Sequence, residues 1–219
     1  MLIIFDLDDT LVDTSGALIP LKLKMSLQAM IDAGLKVSSF EKALQELLEI
    51  DAKSANGKET LTRFLEKIEA RSHFLNVGME EYLCLPEIFS ISSLAGAGEV
   101  LSLLAQKHTL VIVSTGLEEA QHAKIEKAGL NKDLFHKIII CPDYNKREYY
   151  LHLLDELQYD AAETIVCGDK FETDLLPAQE LKMITVQMMW GRAVKTSSSG
   201  KADYTIKILG ELVTVVENL

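Results

Sequence analysis

The sequence begins with MLIIFDLDDTLVDT, Met1 to Thr14, and this stretch carries the strongest structural signal in the chain. Leu2 to Phe5 form an apolar, β-prone run, which is typical of a buried strand in a parallel sheet. The run leads directly into the carboxylates of Asp6, Asp8 and Asp9. Aspartate is unfavourable in strands, and like charges two positions apart share one side of an extended chain, so the pattern requires a cation or a cluster of hydrogen-bond donors. A divalent metal ion is the simplest occupant, and a polar turn after an edge strand is the alternative.

Length and composition are those of an ordinary globular protein. The chain has 219 residues, of which 48% are hydrophobic and 25% charged, which suits one large domain or a core with a smaller inserted domain. The formal net charge of −11 disfavours a broad attraction to nucleic acid or to an anionic membrane. An anionic substrate would therefore need a local positive site.

The sequence predicts a cytoplasmic location. It has no apolar run of about eighteen residues, and its first apolar segment ends at Asp6, too early for a signal peptide. The three cysteines, Cys84, Cys141 and Cys167, lack a C-x-x-C spacing and are predicted to be reduced core residues, which favours a reducing compartment.

The hydrophobic pattern divides the chain into two parts. From about Ser15 to Glu87 the apolar residues recur at helical spacing, with Ser39 as a predicted N-cap. From Leu94 onward, strands alternate with helices, and Thr196 to Gly200 is predicted to be a flexible loop. The predicted strands are Thr109–Val113, Lys137–Cys141, Thr164–Cys167, Met183–Val186 and Tyr204–Ile206.

This alternation predicts an α/β fold, a Rossmann-like, doubly wound and mainly parallel sheet. Because the first strand is separated from the others by the helical block, the block is predicted to be an insertion. The predicted domains are a core of residues 1–13 and 90–219 and an all-helical insertion of residues 14–89.

Chemistry-bearing residues follow several of these strands. In open α/β sheets, ligands bind beyond the carboxyl ends of the strands, so these residues are expected to meet Asp6 and Asp8. Four carboxylates, a hydroxyl and a lysine in one place would form a site for a metal ion and a phosphate group. The additional members are Ser114, Thr115 and Gly116 after one strand, Lys146 before a helix, and Asp169 and Asp174 after another strand.

The segments FDLDDTLVDT, VIVSTG, Lys146 and CGDKFETD, in that order, resemble the four motifs of the haloacid dehalogenase superfamily. The resemblance covers Met1 to Val12 and Leu94 to the end. The helical insertion resembles the C1 cap of phosphatase-type, phosphoglycolate phosphatase-like members in position and character. One departure is Arg147, which stands where many relatives have proline after the lysine.

The resemblance implies a role for each motif residue. Asp6 would be the nucleophile that becomes an aspartyl phosphate, and Asp8 the general acid and base. Mg²⁺ would be held by Asp6, the backbone carbonyl of Asp8 and Asp169, with Asp174 in support. The residues that would bind the phosphate group are Ser114, Thr115, Gly116 and Lys146, of which Lys146 is also counted as catalytic.

The function predicted in this way is Mg²⁺-dependent hydrolysis of a small phosphomonoester. Phosphoglycolate, sugar phosphates and nucleoside monophosphates are all admissible substrates, whereas nucleic acid and membrane partners are not expected. A phosphomutase of the same superfamily would use the same motifs. A catalytically idle binding or regulatory protein that kept the fold is the other alternative, and the choice between monomer and dimer stays open.

Overall fold

The computed structural model describes residues 1–84, 86, 89–143, 145–194 and 201–219. The chain divides into two compact units, one made of residues 1–14 and 91–219 and the other of residues 15–90. The predicted loop from Thr196 to Gly200 lies outside the described residues.

The first unit contains a six-stranded sheet within the described residues, and all of its strand pairs are parallel. The strand order is β3-β2-β1-β4-β5-β6. This confirms the predicted α/β, Rossmann-like fold. The strands are β1 (Leu2–Phe5), β2 (Thr109–Thr115), β3 (Lys137–Cys141), β4 (Thr164–Gly168), β5 (Ile184–Met188) and β6 (Tyr204–Ile206).

Strand β1 lies in the middle of the sheet. Leu2 is in register with Thr109 of β2 on one side and with Thr164 of β4 on the other. All four residues of β1 are completely buried, as their apolar character predicts. The strand order reverses beside β1, so the loop after β1 lies at the topological switch point where ligands of such sheets bind.

Helices of the first unit connect and flank these strands. They are α5 (Ala97–Leu104), α6 (Glu118–Lys127), α7 (Lys146–Leu157), α8 (Leu176–Glu180) and α9 (Gly210–Glu217). A short π-helical turn, Phe171–Leu175, leads into α8, and another, Thr14–Leu18, runs along the chain from the first unit into the second. One core cluster joins β1, β2 and β4 to α7 and includes Val111, Val113, Val166, Tyr150 and Leu153.

The second unit consists of helices among its described residues. They are α1 (Ile19–Asp32), α2 (Phe40–Asp51), α3 (Gly57–Lys67) and α4 (His73–Leu83). Ser39 is the N-cap of α2, as predicted, and its side chain accepts a hydrogen bond from the Lys42 N–H at 3.3 Å.

Helices α1 and α4 pack closely because Gly78 has no side chain. A Cβ atom at Gly78 would lie 3.0 Å from the sulfur of Met30. The hydroxyl of Ser26 donates a hydrogen bond to the Gly78 carbonyl at 2.8 Å, which ties the two helices together. The apolar stripes recognised in the sequence form the core of this unit, which includes Leu23, Leu27, Leu61 and Phe64.

The cysteines differ from the prediction at one position. Cys141 and Cys167 are free thiols in the core, as predicted, but Cys84 is exposed, so the prediction that all three are core residues was wrong. Cys84 is the C-cap residue of α4. Within the described residues, no helix is long and apolar enough to cross a membrane, and the cytoplasmic location stays a prediction.

Candidate active site

Three carboxylates from two parts of the chain meet beyond the carboxyl ends of β1 and β4. Asp6 follows β1, Asp169 follows β4, and Asp174 lies in the π-helical turn after it. One ligand atom from each lies within 4.8 Å of the others, and all three residues are buried. The parallel pairing of β1 with β4 produces this meeting, and the Asp6 N–H continues the ladder by donating to the Cys167 carbonyl at 2.9 Å.

Gly168 allows Asp174 to approach the end of β4. A Cβ atom at Gly168 would lie 2.7 Å from the Cβ of Asp174, which is closer than real atoms pack. Asp174 is held there because its Oδ2 accepts a hydrogen bond from the Lys170 N–H at 3.0 Å. The glycine of the Gly-Asp pair is therefore required for close packing against the carboxylate.

Lys146 supplies the positive charge of this group. It is the first residue of α7, and its side chain is 1% exposed. Its Nζ donates to Asp6 Oδ1 at 2.6 Å and to Asp174 Oδ1 at 2.8 Å. Burial alone would lower the pKa of Lys146, but the carboxylates of Asp174 and Asp6 raise it well above its usual value, so the ammonium stays charged.

Asp169 has the properties expected of a metal ligand. Both of its carboxylate oxygens are buried and have no hydrogen-bond partner among the described residues. Burial raises the pKa of Asp169 well above its usual range, and Asp174 and Asp6 add to the effect although Lys170 opposes it. A buried carboxylate without donors is costly unless a cation or a proton compensates it. The three carboxylates therefore fit a hard divalent cation, which prefers oxygen ligands.

Burial raises the pKa of Asp6 to about 6. The attraction of Lys146 opposes this rise, whereas Asp174 and Asp8 add to it. Asp6 thus lies in a position where its ionised form needs additional positive charge. A cation bound to the three carboxylates would supply that charge.

The Asp8 side chain has a separate set of hydrogen-bond partners. It accepts hydrogen bonds from Lys124 Nζ at 2.7 and 2.9 Å and from Gln121 Nε2 at 2.9 Å. The Thr14 hydroxyl also donates to its Oδ1. Burial raises the pKa of Asp8, but Lys124, Gln121 and Thr14 together lower it well below its usual range. Among the described residues, the side chains that could bind one metal ion together are therefore those of Asp6, Asp169 and Asp174.

The segment Ser114 to Gly116 follows the neighbouring strand β2. Ser114 is 1% exposed, and its hydroxyl accepts a hydrogen bond from Gln121 Nε2 at 2.7 Å. The Gly116 N–H donates to the Cys141 carbonyl at 3.2 Å, and Gly116 has a φ of 139°. The Thr115 carbonyl accepts a hydrogen bond from Gln121 at 3.0 Å.

The structure thus brings together Asp6, Lys146, Asp169 and Asp174, and a second group contains Asp8 and Ser114. Gln121, Lys124 and Thr14 join this second group, and sequence reasoning did not select them. A signal was present for two of them: Gln121 and Lys124 are three positions apart on a helix, on the same side as Ile125, which is buried.

The comparison with protein families agrees with this geometry. Residues 3–188 match the model of the family described as haloacid dehalogenase-like hydrolase. The chain belongs to this family. The predicted superfamily is therefore confirmed.

Curated relatives of this hydrolase cover almost its entire length. The chain is 30% identical to the glyceraldehyde 3-phosphate phosphatase of Methanocaldococcus jannaschii over 99% of the chain and 97% of the relative. It is also 30% identical to the enzyme of the same name from Pyrococcus abyssi, over 99% and 93%. These relatives confirm the predicted enzyme class, a phosphoric monoester hydrolase.

Solved structures of haloacid dehalogenase-like hydrolases share the fold. The hydrolase YfnB of Bacillus subtilis, described as bound to magnesium, matches with a TM-score of 0.69 at 20% identity, over 98% of the chain and 97% of that structure. A phosphatase of this family from Thermococcus onnurineus matches with a TM-score of 0.64 at 21% identity, over 98% and 96%.

Proposed function

We propose that the protein is a Mg²⁺-dependent phosphatase that hydrolyses a small phosphomonoester through an aspartyl-phosphate intermediate. The observation that carries the proposal is the junction of Lys146 with Asp6 and Asp174, beside the Asp169 carboxylate, which has no hydrogen-bond partner in the described part of the chain. A three-carbon phosphate such as glyceraldehyde 3-phosphate is the first candidate substrate, because the full-length relatives carry that name.

The residues that would hold Mg²⁺ are Asp6, Asp169 and Asp174, together with the backbone carbonyl of Asp8. When bound, the cation neutralises charge on the carboxylates and on the phosphate oxygens. Lys146 adds a fixed positive charge at the same place. It orients the Asp6 carboxylate through the 2.6 Å hydrogen bond to Oδ1.

Two proton transfers accompany the proposed reaction. We propose that Asp8 enters the first step protonated, its pKa rising when the substrate displaces one of its present donors. A carboxylate oxygen of Asp6 bonds to phosphorus as the ester P–O bond breaks, and Asp8 gives its proton to the leaving oxygen. In the second half, Asp8 accepts a proton from a water molecule whose oxygen bonds to phosphorus. Free phosphate leaves and the Asp6 carboxylate is restored, so atoms and charge balance over the cycle.

Ser114 and Lys146 would stabilise the phosphoryl oxygens during both steps. The Ser114 hydroxyl accepts from Gln121, so its own proton is free to donate to a phosphate oxygen. Donors placed in advance where charge develops lower the barrier without a reorganisation cost.

We also propose that the helical unit of residues 15–90 acts as a cap that restricts the site to small substrates. Its insertion between β1 and β2 supports this proposal. Caps of this kind exclude water from a site when they close. Residues 14–89, predicted from the sequence as the cap, would then select the substrate.

Release of inorganic phosphate from a panel of phosphomonoesters is the direct test. The panel contains glyceraldehyde 3-phosphate, phosphoglycolate, a hexose phosphate and a nucleoside monophosphate, each with Mg²⁺ and with excess EDTA. We expect Mg²⁺-dependent release that EDTA reduces at least about 100-fold, because without the cation the phosphate group would meet a cluster of carboxylates. Glyceraldehyde 3-phosphate is expected to have the highest kcat/KM.

The control is Asp155→Asn, which removes an exposed carboxylate of α7 away from the three ligands. Its activity should equal that of the wild type. Rearranged phosphoesters without free phosphate would contradict the proposal in favour of a phosphomutase. Absence of any turnover, with Mg²⁺ shown to bind, would indicate a binding or regulatory protein.

Mg²⁺ is expected to raise the melting temperature more at about pH 7.5 than at about pH 5. The pKa of Asp6 is about 6 in the folded protein and 3.8 in the reference state. The folded protein therefore retains this proton between pH 4 and 6, and stability due to Asp6 is lost as the pH rises through that window, by up to about 3 kcal/mol. Mg²⁺ needs the ionised carboxylate, so its stabilising effect grows as the proton leaves.

The measurement is thermal unfolding at several pH values, with Mg²⁺ and with EDTA. Asp155→Asn again serves as the control, because it leaves the three ligands unchanged. An increase in melting temperature that is the same at both pH values would contradict the assignment of these carboxylates as the metal ligands.

A further inference from the structure

Helix α6 presents two polar side chains to the site rather than to solvent. Gln121 and Lys124 are 2% and 7% exposed, although such residues usually lie on the outer face of a helix. Burial of a lysine without a partner is costly, so its position requires a function or a strong compensating contact. Both residues donate hydrogen bonds to Asp8, and Gln121 also donates to Ser114.

The hydrogen bonds to Asp8 fill its acceptor positions. A carboxylate offers about four acceptor positions, two on each oxygen. Oδ1 accepts from Lys124 at 2.7 Å and from Thr14, and Oδ2 accepts from Lys124 at 2.9 Å and from Gln121 at 2.9 Å. These four donor contacts hold the carboxylate in one orientation.

Lys124 is the counter-ion that matches Asp8. Lys146 is already committed to Asp6 and Asp174 through hydrogen bonds of 2.6 and 2.8 Å. The pair of Lys124 and Asp8 is thus separate from the three metal-type carboxylates. An ionised Asp8 beside so many carboxylates would otherwise be repelled from them.

Gln121 links the Asp8 carboxylate to the Ser114 hydroxyl. Its amide nitrogen lies 2.9 Å from Asp8 Oδ2, 2.7 Å from Ser114 Oγ and 3.0 Å from the Thr115 carbonyl. Because Ser114 accepts from this amide, its own hydroxyl proton points elsewhere and can serve a phosphate oxygen. One side chain therefore sets the orientation of both the acid–base carboxylate and the serine donor.

From these contacts we infer that Gln121 and Lys124 are positioning residues for phosphoryl transfer, an inference that rests on the proposed function. Lys124 holds the Asp8 carboxylate in place, and Asp8 contacts the leaving oxygen once the substrate has replaced one of its present donors. Gln121 holds the Ser114 hydroxyl toward the phosphoryl group. Lys124 therefore serves the proton transfer, and Gln121 serves the stabilisation of phosphoryl charge.

Two substrates with different leaving groups distinguish the role of Lys124 in proton transfer from the role of Gln121 in stabilising phosphoryl charge. Glyceraldehyde 3-phosphate releases an alkoxide that needs a proton, whereas acetyl phosphate releases acetate, which leaves without one. The parameter to compare is kcat/KM, because it reports the steps up to the transfer of the phosphoryl group to Asp6. Acetyl phosphate is also small enough for a capped site.

For Lys124→Met we expect kcat/KM for glyceraldehyde 3-phosphate to fall about 10- to 100-fold, since proton transfer contributes at least that much. The value for acetyl phosphate should change less than about threefold, and Lys124→Arg should recover part of the loss. For Gln121→Met both substrates should fall together, by about tenfold, because Ser114 serves both. The matched control is Lys127→Met, which removes an exposed lysine from the same helix.

A double-mutant cycle tests the connection to Asp8. In an Asp8→Asn background, Lys124→Met should cause no further loss, because the group that it positions is already absent. Losses for Lys124→Met that are equal for the two substrates, or a further loss in the Asp8→Asn background, would overturn the inference and indicate a structural role only. An unchanged activity of Lys124→Met would overturn it as well.

The wild-type rates separate this test from that of the proposed function. If the wild type hydrolyses neither substrate in Mg²⁺, the proposed function fails before any variant is compared. If it hydrolyses both and the variants behave like the wild type, the inference alone fails.

Discussion

Asp6→Asn is expected to abolish phosphate release while the protein stays folded. The asparagine amide cannot form the bond to phosphorus that the Asp6 carboxylate would form, so the covalent route is lost. The loss of kcat is expected to be at least about four orders of magnitude, as for removal of a covalent nucleophile. The measurement is single-turnover phosphate release with Mg²⁺, with Asp155→Asn as the matched control.

The stability of Asp6→Asn is the second part of this expectation. Because burial raises the pKa of Asp6 to about 6, its ionised form destabilises the folded, metal-free protein at neutral pH. A neutral side chain of the same shape should therefore leave the melting temperature in EDTA unchanged or higher at about pH 7.5. Retained activity would contradict the assignment of Asp6 as the nucleophile. An unfolded variant would contradict the expectation that the ionised Asp6 destabilises the metal-free protein.

The second large effect is expected for Lys146→Met. The variant removes the cation that contacts Asp6 and Asp174, which are both buried. Loss of one partner of a buried ionic group typically costs about 3–5 kcal/mol, because the remaining charges are left uncompensated. The kcat/KM is expected to fall about 100- to 1,000-fold, since a charge that stabilises the transition state is also lost.

Mg²⁺ should restore part of the stability of Lys146→Met but little of its activity. The cation supplies charge to the same carboxylates, yet it does not replace the hydrogen bond that orients Asp6. The matched control is Lys137→Met, which removes a lysine paired with Glu156 at the surface and should change the melting temperature little. Equal effects of the two variants on stability would contradict the role given to Lys146.

The motif residues could be predicted because their spacing reflects the fold. Asp6 and Asp169 each follow an apolar strand directly, and parallel neighbours bring such residues to one edge. The geometry explains why Gly168 precedes Asp169, since a side chain there would collide with Asp174. The sequence alone contains no information on this distance, because it depends on the π-helical turn from Phe171 to Leu175.

The partners of Asp8 could not be predicted in the same way. Gln121 and Lys124 lie on a helix whose sequence, EEAQHAKIEK, is mostly polar. Ile125 marks the side that is buried, but the sequence does not show that this side faces a polar site. Only the tertiary structure shows that the buried side of this helix meets Ser114 and Asp8. Thr14 is a similar case, since its contact with Asp8 depends on the turn after β1.

The central position of β1 also has a consequence for how the chain acquires its structure. Leu2 pairs with Thr109 and with Thr164, so the strand at the middle of the sheet is more than one hundred residues away in sequence from either neighbour. The helices of residues 15–90 make local contacts and can form quickly, whereas the pairing of β1 with β2 and β4 requires the closure of long loops. During synthesis this apolar segment emerges well before its partners and stays exposed to association with other chains. The strand that positions Asp6, the proposed nucleophile, is thus a late-folding segment, and Asp6 reaches its place only after the sheet has closed around it.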